Sequence, residues 1–207
     1  MPSLLAGIIV ALTVLVVAIQ LALPPYLAGR VEDRLEDGGG SANVDLEAFP
    51  AIFLLTGRGG SFEAEGDGLR LELGDRKDDP LRRLDGFERV KISLTDLEAG
   101  EVRAERFELT REGRGQNYEL LVRATATPQE LATQLGSVGG GALGGLFGSL
   151  AGGLMGGAAL TPIPLELQAS VSSQNGRPDV AEATGSVAGL PAGPLARVVL
   201  EVVLDRL

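Results

Sequence analysis

The hydrophobic pattern begins with an uncharged run from Leu4 to Leu23, in which only Thr13 and Gln20 are polar. A helix of this length rises roughly 30 Å, which matches the hydrocarbon core of a bilayer. The run therefore predicts a membrane-spanning helix. A buried helix of a soluble protein is the less favoured interpretation.

The flanks of this run bear on whether it is retained or cleaved as a secretory signal. It is longer than the apolar core of a signal peptide, usually about 7 to 15 residues, and no basic residue precedes it. Neither Ala22 nor Ala28 completes a small-x-small cleavage motif, because Gln20 and Tyr26 stand two positions before them. We expect a retained signal anchor, and a cleaved signal is the alternative.

The residues after the run predict a break, a short helix and a joint. Pro24 and Pro25 are predicted to end the membrane helix, since proline removes a backbone donor and restricts the residue before it. The segment Tyr26–Asp37 predicts a helix lying along the membrane or the domain, because it has apolar residues at a spacing of four: Leu27, Val31 and Leu35. The sequence Gly38–Ser41 is typical of a flexible joint.

Beyond this joint, apolar and polar residues mostly alternate, as in half-buried β-strands. The alternating segments are 69–73, 90–94, 102–109, 118–126 and 163–171. In the third segment the phase changes near Glu105, which predicts a β-bulge. Turn residues at 112–115 and 174–176 separate the strands. The pattern predicts a meandering, curved antiparallel sheet with one apolar face, which other elements must cover.

Three helical segments are predicted to cover that face. One begins at Thr127, where Pro128 and Glu130 fit the first helical position and a capping box, and runs through Leu135. A short apolar piece spans Phe49–Leu55, and a C-terminal segment, 195–207, has one apolar face. A sheet with packed helices and no strand–helix alternation predicts an α+β fold.

A glycine-rich insert, 136–160, lies in a stretch without charged residues and contains eleven glycines. Its large apolar residues recur at helical spacing, and small residues about four apart allow close helix contact in membranes. In water, this many glycines weaken a helix. The insert is therefore interpreted either as a low-complexity loop or as an apolar flap over the sheet. A second transmembrane hairpin is less favoured, because returning the chain to the same side would need more length.

The amino-acid composition limits which ligands the protein can bind and which reactions it can catalyse. The formal net charge of −10 argues against a general nucleic-acid surface and against a polybasic grip on lipid headgroups. Histidine and cysteine are absent, which excludes a Ser-His-Asp triad and thiolate chemistry. Glu63 and Glu65 share one face of a strand and could weakly bind a hard cation, but a solvated face explains them more simply. We predict no catalytic residue, metal site or cofactor.

The chain of 207 residues divides into an anchor (1–25), a charged and glycine-rich linker (26–43) and a folded domain (44–207). Few basic residues lie near the anchor, so the positive-inside rule does not decide its orientation. A very short N-terminal tail before a long domain favours translocation of that domain. We expect a single-pass protein of the cell membrane, with its bulk on the extracytoplasmic side.

One stretch resembles a known family. Val44–Pro50 has the sequence VDLEAFP, and Leu54–Arg58 has the sequence LLTGR. Together they resemble the opening of the LmeA-like family of actinobacterial phospholipid-binding proteins, and the arrangement of elements is similar over roughly 12–135. The resemblance implies an envelope location, phospholipid binding and a fold similar to tubular lipid-binding domains of the bactericidal/permeability-increasing type. The glycine-rich insert and the C-terminal helix depart from that family's pattern.

The leading hypothesis is a membrane-anchored, non-catalytic envelope protein that binds phospholipid acyl chains in an apolar groove and supports envelope lipid or glycolipid metabolism. The candidate lipid-binding residues are Phe49, Ile52, Phe53 and Leu55, with Leu146, Phe147 and Leu150 in the flap. Ordinary core packing is the alternative for all of them. A structural scaffold that docks a membrane partner is the second hypothesis for the protein, and an envelope enzyme of carboxylate type is the third.

Overall fold

The computed structural model describes residues 2–71, 80–99, 102–127, 162–174, 176–187 and 190–191. It begins with a long helix, α1 (Pro2–Glu36). By length and composition, Thr13–Glu36 is apolar enough to cross a membrane, and no other helix among the described residues meets that test. The glycine-rich insert, nearly all of the predicted helix 127–135 and the C-terminal helix 195–207 lie outside the described residues.

The helix α1 does not end at Pro24 and Pro25, as the sequence predicted, but continues to Glu36. Proline costs a helix interior one backbone hydrogen bond and introduces a clash. Packing against the sheet stabilises the continued helix: Ala28 is buried, and three more apolar side chains contact the core, namely Leu27, Val31 and Leu35. The helix predicted for 26–37 is thus the second half of α1, and it lies along the domain.

Two glutamates of α1 bind the outer edge of the first strand, β1 (Ser41–Glu47). Glu36 Oε1 accepts the N–H of Ala42 at 2.8 Å, and Glu32 Oε1 accepts the N–H of Val44 at 2.7 Å. Four helical residues rise about 6 Å and two strand residues about 6.7 Å, so carboxylates one helical turn apart meet alternate N–H groups. The helix therefore runs antiparallel to β1 and satisfies its edge.

The connection between α1 and β1 is a tight turn in place of the predicted flexible joint. The N–H of Gly39 donates to Glu36 O at 2.8 Å, and Gly40 has a left-handed φ of 93°. A Cβ at Gly38 would lie 2.1 Å from Arg70 O. The glycines are thus needed for close backbone packing, and they join the helix to the sheet over a short distance.

The nine described strands form one sheet. After β1 they are β2 (Gly59–Asp67), β3 (Arg70–Leu71), β4 (Phe87–Ala99), β5 (Val102–Arg111), β6 (Tyr118–Ala126), β7 (Ile163–Gln174), β8 (Arg177–Val187) and β9 (Leu190–Pro191). Their spatial order is β1-β2-β4-β5-β6-β7-β8-β9, with β3 paired to β4. The pairs β2–β4 and β3–β4 are parallel, because the chain crosses over through a short helix, α2 (Pro80–Leu84), and the others are antiparallel.

The mostly antiparallel sheet with an apolar N-terminal helix confirms the predicted α+β class. The two parallel pairs, β2–β4 and β3–β4, were not predicted. The predicted strands at 90–94, 102–109, 118–126 and 163–171 lie in β4, β5, β6 and β7. The register shift between Ala104 and Arg106 confirms the bulge at Glu105. The apolar piece Phe49–Leu55 overlaps a 3-10 helix (Ala51–Thr56), which ends at left-handed Gly57.

The sheet has one apolar face and one polar face. The register aligns the apolar side chains of neighbouring strands, for example Leu109 with Leu120 and Leu120 with Ala169. On this face a larger core cluster includes Val90, Leu109, Leu120 and Val171. A smaller core cluster consists of Leu69, Leu94, Leu97, Ala104 and Ala124.

Candidate functional site

Three neighbouring strands carry apolar side chains between the two core clusters: Ile92 on β4, Phe107 on β5 and Val122 on β6. Phe107 is directly opposite Val122 and diagonal to Ile92. All three contact both clusters and are only partly buried. The nearby Leu109 and Leu120 are buried. These three residues, named here the central strip, thus present apolar surface in the middle of the sheet.

The helix α1 connects this part of the sheet with the candidate membrane span. Leu35, near its C-terminal end, contacts both core clusters, as the central strip does. Toward its N-terminal end the helix has exposed apolar residues: Val14, Leu15, Val16, Val17 and Leu21. One helix therefore carries apolar side chains from the region that can lie in a membrane to the apolar face of the sheet.

The predicted lipid-binding residues in the described part of the chain lie together on the surface. Phe49 is 88% exposed, and on the 3-10 helix Ile52, Phe53 and Leu55 are 47%, 49% and 61% exposed. They belong to neither core cluster, whereas Leu54 packs in the larger one. The other three candidates, Leu146, Phe147 and Leu150, lie outside the described residues.

A single side chain of α1 fixes the 3-10 helix beside it. Gln20 Nε2 donates to Ala48 O at 2.8 Å, and Gln20 Oε1 accepts the N–H of Ala51 at 2.7 Å. Both polar ends of the carboxamide are used, and two backbone groups at the start of the 3-10 helix gain partners. This pairing gives the physical reason for a polar residue inside the predicted span.

A charged residue occupies one position of the apolar face. Arg111, at the end of β5, continues the apolar phase of Phe107 and Leu109 and is only 4% exposed. Its Nη1 donates to Tyr118 Oη at 2.7 Å and to Asp85 Oδ1 at 3.3 Å. The guanidinium carbon also lies 4.5 Å from the centroid of the Tyr118 ring. The charge is thus paired by a carboxylate and packed on an aromatic ring.

This buried cluster joins distant parts of the sheet. Arg111 Nη2 donates to Leu84 O at 3.0 Å and to Phe87 O. Asp85 accepts hydrogen bonds from Tyr118 Oη at 2.9 Å and from Ser173 Oγ at 2.5 Å. The cluster therefore holds the end of α2 against β4, β5, β6 and β7. Among the described residues Arg111 Nε is buried without a hydrogen-bond partner. The other polar groups of the cluster are engaged with one another, as expected of a structural element.

The cluster predicts a dependence of stability on alkaline pH. Burial, and then the hydrogen bond to Asp85, raise the pKa of Tyr118 well above its ordinary value of 10.0. When the pH exceeds the ordinary pKa of 10.0, the tyrosine loses its proton in the unfolded chain but keeps it in the folded chain. The free energy of unfolding therefore falls as the pH rises. We expect the unfolding free energies of wild type and Tyr118→Phe to converge by about 1.4 kcal/mol between about pH 9 and pH 11. Denaturant titrations at both pH values check this, and a constant difference would contradict it.

The opposite face of the sheet is polar and carries exposed ion pairs. Hydrogen bonds from Arg70 and Arg103 lower the pKa of Glu98 below its ordinary value. Glu65 lies 3.7 Å from Lys91. Two surface depressions lie on this face, one beside Thr95 and the other beside Glu119 and Ser170. Such exposed pairs contribute little to stability, and this face resembles an ordinary solvated surface.

The carboxylates considered as a cation site lie on this polar face. Glu63 and Glu65 are exposed on β2. Within the described ranges, no group of three or more Asp or Glu side chains could hold a metal ion. The other dense pair in the sequence, Asp78 and Asp79, lies outside them.

Sequence reasoning missed the central strip and the Arg111 cluster. Alternation predicts that Ile92, Phe107 and Val122 face the core, but it does not show which apolar positions stay partly exposed. Arg111 did leave a signal, because it is a charge in the apolar phase of a predicted strand. Tyr118 lies 7 residues away and meets Arg111 across the β5–β6 hairpin, whereas Asp85 lies 26 residues away and its approach depends on the crossover.

The fold and the site define an α+β protein with one N-terminal helix that could be a membrane anchor or a signal sequence. This helix lies beside a sheet with one apolar face. No protein-family model, curated protein or solved structure matches the chain. The site therefore has to be interpreted from its own geometry.

Proposed function

We propose that this protein is a membrane-anchored, non-catalytic phospholipid-binding protein, and that acyl chains bind on the apolar sheet face at the central strip. One observation carries the proposal: α1 continues from its exposed apolar part, around Val14–Leu21, to the core of the sheet. There Leu35 packs against the same two clusters as the partly buried residues of the central strip. The ligand class follows from this surface, which offers hydrocarbon contact in the middle of a sheet.

The energetics favour such a route. A phospholipid leaving a bilayer exposes its tails at a cost of about 0.8 kcal/mol per CH₂ group. An apolar protein surface that begins at the membrane contacts the acyl tail as it leaves the bilayer, and so replaces part of the hydrocarbon contact that the tail loses. Leu27, Val31 and Leu35 of α1 pack against the larger core cluster, and Leu35 also contacts the smaller one. Continuity between membrane and sheet therefore lowers the cost of bringing an acyl chain to the protein.

The charge of the protein favours binding of the acyl tail of a phospholipid over binding of its headgroup. The chain has a net charge of −10, and the basic residues of the described polar face are largely paired with carboxylates. An anionic headgroup gains little from such a surface. Burial of apolar area at about 25 cal/mol per Å² needs no basic patch. The same charge makes nucleic acid an unsuitable partner.

The proposal includes a retained anchor and an extracytoplasmic domain. Cleavage near Ala22 or Ala28 would separate Gln20 from the 3-10 helix, and it would cut a helix that packs on the core. Loss of these contacts would destabilise the domain, which favours retention. A tubular lipid-binding fold and a role in envelope lipid or glycolipid metabolism, as the LmeA-like resemblance implies, are the finer parts of the proposal.

Photo-crosslinking in membranes tests lipid binding at the strip. The full chain is reconstituted in vesicles that contain a phospholipid with a diazirine in its acyl chain, irradiated and mapped by mass spectrometry. We expect adducts on α1 and on the segments of β4, β5 and β6 around the central strip. In Val122→Glu the adducts on the strip should fall about tenfold, because a charge beside hydrocarbon is strongly disfavoured. Adducts on α1 should be unchanged.

The matched control is Leu121→Glu, which places the same charge on the same strand but on the opposite face. Its adduct pattern should equal that of wild type. Adducts confined to α1 and the 3-10 helix in wild type would contradict lipid binding at the strip. That result would favour the scaffold hypothesis, in which the domain docks a membrane protein.

A further inference from the structure

We infer that the 3-10 helix is a second membrane contact, which inserts Phe49, Ile52, Phe53 and Leu55 into the interface of the bilayer beside α1. The occupant of this exposed apolar surface is the lipid boundary between headgroups and acyl chains. This inference rests on α1 crossing the membrane, as proposed above. It is independent of lipid binding at the central strip.

The position of Gln20 carries the argument. Its side chain bonds Ala48 O and Ala51 N, so the start of the 3-10 helix lies at the level of Gln20 along α1. Gln20 is three residues before Leu23, the end of the predicted span, which corresponds to about 4.5 Å along a helix. Interfacial apolar segments typically lie about 5–10 Å into the boundary of headgroups and acyl chains. The 3-10 helix is therefore held at the depth of such a segment.

The side chains of this segment are arranged for two apolar environments. A 3-10 helix has three residues per turn, so Ala51 and Leu54 form one row, and this row is buried against the protein. One of the other rows holds Ile52 and Leu55, and the last holds Phe53 and Thr56. All four face outward, and all except Thr56 are apolar. In water an exposed cluster of large apolar residues is unfavourable, and such clusters mark interaction surfaces.

The boundaries of the segment fit a shallow insertion. From Ala48 to Thr56 the chain has no charged residue. Exposed charges return on both sides, at Glu47 and Arg58. A segment that is apolar only between its two ends enters the interface and leaves it again. Together with α1 it would fix the orientation of the sheet relative to the membrane.

Fluorescence of an introduced tryptophan tests this insertion. The chain contains no tryptophan, so Phe53→Trp in the full-length protein is a single reporter. The protein is reconstituted in vesicles of phosphatidylcholine and phosphatidylglycerol, with and without bromine on the acyl chains. We expect brominated lipid to lower the emission about twofold or more, and aqueous iodide to have little effect, as for an interfacial residue. Leu55→Trp, at a second exposed position, should behave in the same way.

The matched control is Asn43→Trp, an exposed position on the polar face of β1 toward the other end of the strand. Its emission should be quenched by iodide and unaffected by brominated lipid. The inference is overturned if Phe53→Trp and Leu55→Trp follow the control. Quenching by brominated lipid without photo-adducts at the central strip would leave the insertion standing and refute only the proposed lipid binding at the strip.

Discussion

Replacing Arg111 by methionine should lower the free energy of unfolding by about 3 kcal/mol, because it breaks an ion pair whose arginine is buried. The effect is at the lower end for such pairs, because the Asp85 side chain is 30% exposed. Asp85 would lose its cationic partner, and Leu84 O and Phe87 O would lose their donor. Methionine has a similar length and keeps contact with the Tyr118 ring, so the loss reports mainly on the polar interactions.

Thermal unfolding of the full chain in detergent, followed by circular dichroism, measures this effect. For a protein of this size, a loss of about 3 kcal/mol lowers Tm by roughly 6–12 °C. The control is Arg106→Met on the same strand, where the arginine is exposed and lies 3.6 Å from Glu108. This variant should change stability by less than about 1 kcal/mol. Equal effects of the two variants would show that the buried cluster does not stabilise the fold.

Replacing Gln20 by leucine should release the 3-10 helix from α1. Ala48 O and the N–H of Ala51 would both lose their partner. Each unpaired backbone group costs about 1–3 kcal/mol. We therefore expect the amide hydrogen of Ala51 to exchange about 5- to 150-fold faster than in wild type.

Site-resolved hydrogen exchange by NMR, on the full chain in lipid nanodiscs, measures this release. Amides of β5 and β6 should keep their protection, because the change is local. Leu21→Ala is the control, since Leu21 is adjacent on α1 and 72% exposed. It should leave the exchange of Ala51 unchanged. Unchanged exchange in Gln20→Leu would mean that the carboxamide does not hold the 3-10 helix.

The strands that sequence predicted correctly have a simple physical basis. A strand with one face on a core places an apolar residue at every second position, and β6 does so from Tyr118 to Ala126. The bulge at Glu105 was predictable for the same reason, since an extra residue reverses the phase of the alternation. These features are local, so a single segment of sequence contains the information.

The continuation of α1 was not predictable from its own residues. Local rules place a helix end before Pro24, and those rules failed because contacts elsewhere outweighed them. Glu32 and Glu36 bind strand N–H groups that lie after the turn. The candidate lipid-binding residues were likewise only partly predictable from the sequence. The sequence identified Phe53 and its neighbours as notable apolar residues, but it did not show that they face outward.

By itself, the sequence determined the apolar N-terminal helix, the alternating strands, the bulge and the limits that composition sets on chemistry. All of these depend on residues close together in the chain. The tertiary structure alone decided that α1 docks on β1, that Arg111 is paired inside the sheet and that the central strip stays partly exposed. Each of these depends on where segments distant in the chain meet, because burial, hydrogen-bond partners and the balance against a proline's cost are properties of neighbours in space.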